Sequence, residues 1–159
     1  MASTIAFAPL TPDAAGEVMT LQRAAYATEA QIYRDPYLPA LTQPLADVQQ
    51  ELRGAGIGAR MDGRLIGAVR WTMQGGVAHI GRLTIAPDMQ GRGLGTQLLR
   101  AAEEASGASV FELFTGHLSE ANIRLYEREG YVVTRREPLH AGVDLVHLRK
   151  EAAGGAAHA

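Results

Sequence analysis

Cysteine is absent from this chain of 159 residues, which excludes disulfides, zinc–thiolate sites, iron–sulfur clusters and a catalytic thiol. No run approaches the roughly 20 apolar residues that span a bilayer, and residues 1–10 lack the pattern of a secretion signal, so we predict a cytoplasmic protein with no membrane partner. A basic excess is also missing. The formal charge of −2 argues against a nucleic-acid partner. The histidines show no metal-ligand spacing, and we predict no metal.

The composition fits one folded unit. Hydrophobic residues make up 47% of the chain, enough for a single core at this length. We find no internal repeat and no linker. The prediction is therefore one domain over residues 1–150, followed by a disordered Ala- and Gly-rich tail over residues 151–159.

Alternating helix and strand patterns run along the chain. Apolar runs bounded by Gly, Asp-Gly and Pro predict strands at 4–10, 57–61, 64–73, 77–86, 110–115, 131–136 and 143–149. Helical spacing predicts helices from Thr11 to about residue 26 or 29, from about residue 44 to 53, over 94–105 and over 119–129. Thr11 and Ser119 are the predicted N-caps. Because Pro36 and Pro39 disfavour helix, residues 31–42 are predicted to form a loop.

A glycine-rich turn lies between a predicted strand and a predicted helix. Residues 90–96 read QGRGLGT, with glycines at three alternate positions. Glycine lets the backbone approach a ligand, and the free amides at a helix start bind anions, so the turn predicts a phosphate cradle. A nucleotide P-loop would need Lys after the last glycine, where Thr96 stands. A dinucleotide site ranks second, because Glu112 lies about 20 residues further on, but the glycines do not follow their strand directly.

Two segments together resemble the GNAT acetyltransferase superfamily. Residues 80–95, IGRLTIAPDMQGRGLG, are similar to its pyrophosphate-binding motif, and residues 122–131, NIRLYEREGY, are similar to its later helix-and-strand signature. The resemblance implies an α/β fold whose central, mostly antiparallel sheet has six or seven strands, splays in the middle and is flanked by about four helices. It also implies transfer of an acetyl group from acetyl-coenzyme A to an amine by direct attack in a ternary complex.

The resemblance also implies which residues bind the coenzyme. Gln90 and the backbone amides that follow would hold the pyrophosphate, and the strand segment would pair with the pantetheine arm, with the Leu83 amide polarising the thioester carbonyl. Asn122 would contact the arm. The implied cofactor-binding residues are thus Leu83, Thr84, Ile85, Gln90, Gly91, Arg92, Gly93, Leu94, Gly95, Thr96 and Asn122.

Two side chains are candidates for proton transfer. Tyr126 matches the family tyrosine that protonates the departing thiolate, although a helix tyrosine can equally be a core aromatic. His79 stands where relatives carry a catalytic glutamate, and imidazole can serve as a base. It can equally be a hydrogen-bonded sheet residue. Glu112 and Glu29 are weaker candidates for the base.

The first helix and the segment after it predict the acceptor pocket. Acidic and aromatic side chains suit a cationic amine, and Tyr26, Glu29 and Tyr33, with Asp35 and Tyr37, provide them. The same tyrosines would also serve to anchor a loop. The acceptor is predicted to be a small-molecule or peptide amine, and a homodimer is possible. A non-catalytic sensor of acyl-coenzyme A would keep the glycine turn but have no use for Tyr126.

Overall fold

A computed structural model describes residues 4–140 and 142–152. Seven strands form one sheet in the order β1-β2-β3-β4-β5-β7-β6, and every neighbouring pair is antiparallel except β4 and β5. The strands are β1 (Ile5–Pro9), β2 (Ala55–Met61), β3 (Arg64–Gln74), β4 (Val77–Ile85), β5 (Val110–Gly116), β6 (Val132–His140) and β7 (Val143–Glu151). The α/β class and the mostly antiparallel sheet are confirmed.

Five α-helices lie in the described chain: α1 (Ala15–Tyr33), α2 (Pro39–Thr42), α3 (Leu45–Glu51), α4 (Leu94–Ser106) and α5 (Glu120–Arg128). The predicted loop over 31–42 was wrong at both ends. Pro36 restricts only the residue before it, so α1 continues to Tyr33 and ends where Arg34 adopts a left-handed φ of 53°. Pro39 begins α2 at its first position, where no amide donor is needed.

The two predicted N-caps were wrong in their chemistry. Thr11 precedes a short 3₁₀ turn, Pro12–Ala14, and its side chain makes no capping hydrogen bond. Ser119 precedes α5, and its hydroxyl does not cap that helix either. Gly130 follows α5 with a φ of 94°, the left-handed conformation that commonly ends a helix.

The sheet is packed on both faces. On one face, Gln22 of α1 accepts a hydrogen bond from Arg70 of β3 at 3.2 Å. On the other, α4 lies so close that a Cβ added to Gly67 of β3 would be 2.6 Å from Leu98 Cδ1. The core between these layers includes the fully buried Val18, Ile66, Val69, Leu98 and Leu148. The site therefore sits on a rigid support.

The sheet opens between β4 and β5. These strands pair only from Val77 with Val110 to His79 with Glu112. Beyond that point β4 continues along β3 and β5 continues along β7, with no pairing between them. The two strands thus diverge toward the start of α4, as the family resemblance implied.

The predicted tail begins inside the sheet. β7 includes Glu151, and the Ala152 amide donates to the Ser109 carbonyl at 2.8 Å. The rest of that segment, 153–159, lies outside the described residues.

Within 4–140 and 142–152, no helix combines the length and the apolar character needed to cross a membrane.

Candidate active site

The glycine turn has the backbone that an anion cradle needs. Gly91 and Gly93 have φ of 78° and 79°, the left-handed region that favours glycine, and an added Cβ at either would meet no atom within 4 Å. Gly93 immediately precedes α4, and no side chain caps that helix. The first amides of α4 therefore stay available to a ligand, and the helix dipole favours an anion there. Gly95 differs, since it lies within the helix near Leu125 of α5.

A cavity of about 470 Å³ begins at this turn. It lies between α1, the end of β4, the start of α4 and the exposed side of α5. Among the predicted cofactor-binding residues, it is lined by Leu83, Thr84, Ile85, Gln90, Gly91, Gly93, Leu94, Gly95, Thr96 and Asn122. Arg92, which is exposed to solvent, is not in the lining. Ten of the eleven implied residues thus share one cavity.

A β-bulge interrupts β4 beside this cavity. Ala68 pairs with Thr84 and Arg70 with Gly81, so the single residue Val69 stands opposite both Arg82 and Leu83. Arg82 has a φ of 50°, which is strained for a side chain other than glycine. A bulge leaves its extra residue outside the hydrogen-bond ladder. The Leu83 segment is therefore a place where a backbone amide can serve a ligand instead of the sheet.

Tyr126 lies just beneath the cavity lining. Its side chain is buried, and its ring centroid is 6.0 Å from that of Tyr131. Burial, followed by the nearby Tyr26 and Glu29, holds the pKa of Tyr126 above its usual value. No fully buried polar side-chain atom in the described chain lacks a partner, and Tyr126 Oη forms no hydrogen bond there, so this hydroxyl reaches accessible surface. Tyr126 is thus a buried core aromatic whose hydroxyl has no hydrogen-bond partner in the described chain.

A hydrogen-bond chain joins α1 to the start of α5. Ser119 Oγ donates to Glu29 Oε2 at 2.6 Å, and Tyr33 Oη lies 2.7 Å from the same Ser119 oxygen. Because Ser119 gives its only hydrogen to Glu29, the Tyr33 hydroxyl donates to Ser119. Glu29 and Ser119 line the cavity, whereas Tyr33 stands behind them, and burial raises the pKa of Tyr33. The chain fixes α1 against α5 and leaves the first amides of α5 facing the cavity.

His79 stands at the closed end of the split between β4 and β5, and it does not line the cavity of 470 Å³. It pairs with Thr72 of β3, and Gly81 pairs with Arg70, so strand alternation puts all four on the sheet face that α1 covers. An added Cβ at Gly81 would meet no atom within 4 Å. His79, two residues and about 7 Å away, borders this open space.

The predicted acceptor residues are only partly brought together. Tyr26 and Glu29 line the cavity. Tyr37 is 78% exposed, and its amide donates to Asp35 at 2.8 Å, so these two residues form a local turn away from the cavity. The guanidinium carbon of Arg82 lies 6.0 Å from the Tyr26 ring centroid.

Several lining residues carry no signal in the sequence. Ser119 and Thr28 meet the cavity through helix packing, which no motif indicates. Arg124 and Arg128, which are four residues apart and so lie on one side of α5, add positive charge to its rim. Throughout the described ranges, no three His, Asp or Glu side chains converge as metal ligands.

Comparison with known proteins agrees with this geometry. Residues 21–131 match the sequence model described as the Acetyltransferase (GNAT) family. The solved PaiA N-acetyltransferase of Thermoplasma acidophilum, in complex with coenzyme A, superposes with a TM-score of 0.82 at 20% identity, covering 94% of this chain and 99% of that one. That likeness shows the fold.

Two curated proteins of Bacillus subtilis (strain 168) are also similar. S-(2-succino)cysteine N-acetyltransferase is 31% identical over 102 residues, covering 57% of this chain and 62% of the relative. UPF0157 protein YqkA is 29% identical over 119 residues, covering 74% of this chain and 34% of the relative. The chain thus spans about three-fifths of the length of the first relative and about a third of the length of the second.

Proposed function

Because the chain belongs to the Acetyltransferase (GNAT) family, we propose that it transfers an acetyl group from acetyl-coenzyme A to a primary amine. The observation that carries the proposal is the uncapped start of α4, where left-handed Gly91 and Gly93 bring free amides to the mouth of the split sheet. A diphosphate fits this cradle, because backbone amides and a helix dipole hold an anion without side-chain charge.

The remaining contacts follow the cavity. Gln90 and the amides that follow it hold the pyrophosphate, Leu83 to Ile85 of β4 lie along the pantetheine arm, and Asn122 of α5 meets the arm from the other side. Arg124 and Arg128 line the same cavity and favour the 3′-phosphate. Acetyl-coenzyme A supplies an activated thioester, so the protein needs to bind, orient and move protons.

The reaction is a direct transfer. The amine nitrogen forms a bond to the thioester carbonyl carbon while the Leu83 amide stabilises the negative charge on the carbonyl oxygen. The carbon–sulfur bond then breaks. Tyr126 gives its proton to the leaving sulfur, and His79 accepts the proton that the amine loses.

The environment of Tyr126 supports its role as the acid. Burial raises its pKa, so the phenol carries a proton at neutral pH, and its hydroxyl makes no competing hydrogen bond within the described chain. Glu29 is a second candidate for the base. It lines the cavity, but it already accepts a short hydrogen bond from Ser119.

The acceptor is proposed only as a class. The relative named S-(2-succino)cysteine N-acetyltransferase acts on a nitrogen of a small molecule, which supports an amine acceptor here. The predictions of a cytoplasmic location, of a homodimer and of no nucleic-acid, membrane or metal partner stay predictions.

The proposal is tested by two measurements on one preparation. Calorimetry should show micromolar or tighter binding of acetyl-coenzyme A, and a thiol-release assay with a panel of primary amines should show turnover. Binding without turnover on any amine would favour the sensor of acyl-coenzyme A. Absence of binding, together with binding of NADH, would favour the dinucleotide-dependent oxidoreductase.

A further inference from the structure

Arg82 is a positive charge without a counter-ion in the described chain, next to two residues that line the cavity, Tyr26 and Leu83. Its backbone occupies the β4 bulge, immediately before Leu83. Its guanidinium lies over the Tyr26 ring at 6.0 Å, and Tyr26 lines the cavity. Among the residues that the structure describes, no carboxylate forms an ion pair with Arg82. The side chain is half-buried, so its charge is only partly solvated.

A second guanidinium lies close by. Arg70 of β3 pairs with Gly81, the residue before Arg82, and is buried with 7% of its surface exposed. Burial lowers the pKa of Arg70, the paired Glu51 raises it, and the charge of Arg82 lowers it again. Glu51 binds Arg70 at 2.6 Å and compensates one of the two charges. One positive charge therefore remains.

The two arginines border the open space above Gly81. Arg70, Gly81 and His79 share one sheet face by their register. Apart from the chain neighbours of Gly81, no atom stands within 4 Å of where its side chain would begin, so a small group can be seated there beside Arg82. Two other carboxylates near this region have partners of their own: Glu29 accepts from Ser119, and Glu112, which pairs with His79 across β4 and β5, binds Arg149 at 3.3 Å. The space thus has a cationic border, which differs from the acidic lining predicted for the acceptor pocket.

We propose that the acceptor amine also carries a carboxylate, and that Arg82, supported by Arg70, binds this carboxylate. This inference rests on the proposed acetyl transfer and names its acceptor class as amino acids with a free carboxylate. Arginine presents a planar fork of donors that suits a carboxylate. Because Arg82 directly precedes Leu83, whose amide faces the thioester, the carboxylate must lie only a few bonds from the reacting nitrogen.

The test compares acids with their neutral counterparts. Thiol release is measured for a panel of α-amino acids and for the matching amino acid amides, at saturating acetyl-coenzyme A, to give kcat/KM for each. The acid-to-amide ratio of kcat/KM is then compared between the wild type and Arg82→Asn. Asn is chosen because it tolerates left-handed φ better than most residues. Dividing the wild-type acid-to-amide ratio by that of the variant removes the difference in basicity between acids and amides, because that difference is the same for both proteins.

We expect the ratio to fall about 10- to 100-fold in Arg82→Asn, through loss on the acids alone. Arg34→Asn is the matched control. Arg34 also has a left-handed φ, of 53°, but its side chain is exposed at the end of α1. This variant should keep the wild-type ratio. Arg82→Lys should retain part of the preference for acids over amides. If Arg82→Asn does not fold, the acid-to-amide ratio of Arg82→Lys is compared with the wild type instead.

Other results would overturn the inference in distinct ways. If Arg82→Asn lowers kcat/KM equally for acids and amides, Arg82 only stabilises the bulge of β4. If the wild type acetylates amines lacking a carboxylate and rejects the amino acids, the acceptor class is wrong while acetyl transfer stands. If the wild type binds acetyl-coenzyme A but acetylates neither set nor any other amine, the proposed function fails, and this inference fails with it.

Discussion

The proposed acid, Tyr126, is also a residue of the core. Its ring packs against Tyr131 while its hydroxyl reaches the surface without a hydrogen bond in the described chain. We expect Tyr126→Phe to lower kcat about 100-fold or more, because the leaving thiolate loses its proton donor. The dissociation constant for acetyl-coenzyme A should change less than about twofold, and thermal unfolding should be nearly unchanged, since no hydrogen bond is removed. Thiol release, calorimetry and thermal melts give the three values.

Tyr131→Phe is the matched control for this substitution. Tyr131 Oη donates to Glu103 Oε2 at 2.7 Å, a hydrogen bond to a carboxylate that packs α4 against the chain after α5. Its loss should destabilise the fold by about 1 to 3 kcal/mol and leave kcat near the wild-type value. If both variants lose activity equally, Tyr126 acts through packing and not as an acid.

The raised pKa of Tyr126 determines how the rate depends on pH. Because burial disfavours the phenolate, the proton is retained to a pH above the usual value near 10, so the acid form is present throughout the working range. We expect kcat to show no alkaline decline up to about pH 9.5. His79→Gln should lower kcat, because the amine loses the proposed acceptor of its proton. A decline between pH 8 and 9 in the wild type would contradict the role of Tyr126.

At the scale of the element, glycine substitutions can distinguish a loss of stability through backbone strain from a loss of ligand binding. Gly93 at the start of α4 and Gly63 in the β2–β3 turn have φ of 79° and 82°, and both have open space at the Cβ position. Replacing either by Ala should destabilise the fold by about 1 kcal/mol, the penalty of left-handed backbone. Only Gly93→Ala should also weaken acetyl-coenzyme A binding, by about tenfold or more, in calorimetry. Equal affinities in the two variants would place the diphosphate elsewhere.

Elements defined by local chemistry could be predicted from the sequence, and those defined by pairing could not. The Asp62-Gly63 turn and the start of α4 depend on a few neighbouring residues, and both were predicted correctly. The predicted α1 was too short because Pro36 and Pro39 were taken to disfavour helix at residues several positions before them. The β4 bulge depends on the register between Val69 and two residues of another strand, which a linear pattern does not contain.

The same distinction between local sequence and long-range pairing applies to the residues of the candidate site. The glycine turn and Asn122 are contiguous motifs, and the structure places them around one cavity. The Ser119 link to Glu29 spans 90 positions, and the role proposed for Arg82 depends on a strained conformation and on the neighbouring strand. Such contacts arise from folding, so the sequence identified the coenzyme side of the site better than the acceptor side.

At the scale of the whole molecule, the split sheet makes the binding site a meeting point of distant segments. Antiparallel pairs build the sheet from β1 to β4, and antiparallel pairing resumes from β5 to β7 and β6. The single parallel junction is held by only three residue pairs, so the strands can part on one side while both halves keep their own partners. A ligand in this opening touches α1, β4, α4 and α5 together, and it should therefore stabilise the molecule as one unit.

This argument predicts a thermal shift specific to the coenzyme. At a concentration 100 times its dissociation constant, acetyl-coenzyme A should stabilise the native state by about 2.7 kcal/mol, which for a chain of this size raises Tm by about 5 to 10 °C. NADH at the same concentration should produce no shift, because the cavity follows the geometry of a split sheet and not of a parallel nucleotide fold. Gly93→Ala should show a smaller shift than Gly63→Ala at equal ligand concentration. A shift with NADH alone would overturn the acetyl-transfer assignment, whereas equal shifts in the two glycine variants would remove only the turn from the binding site.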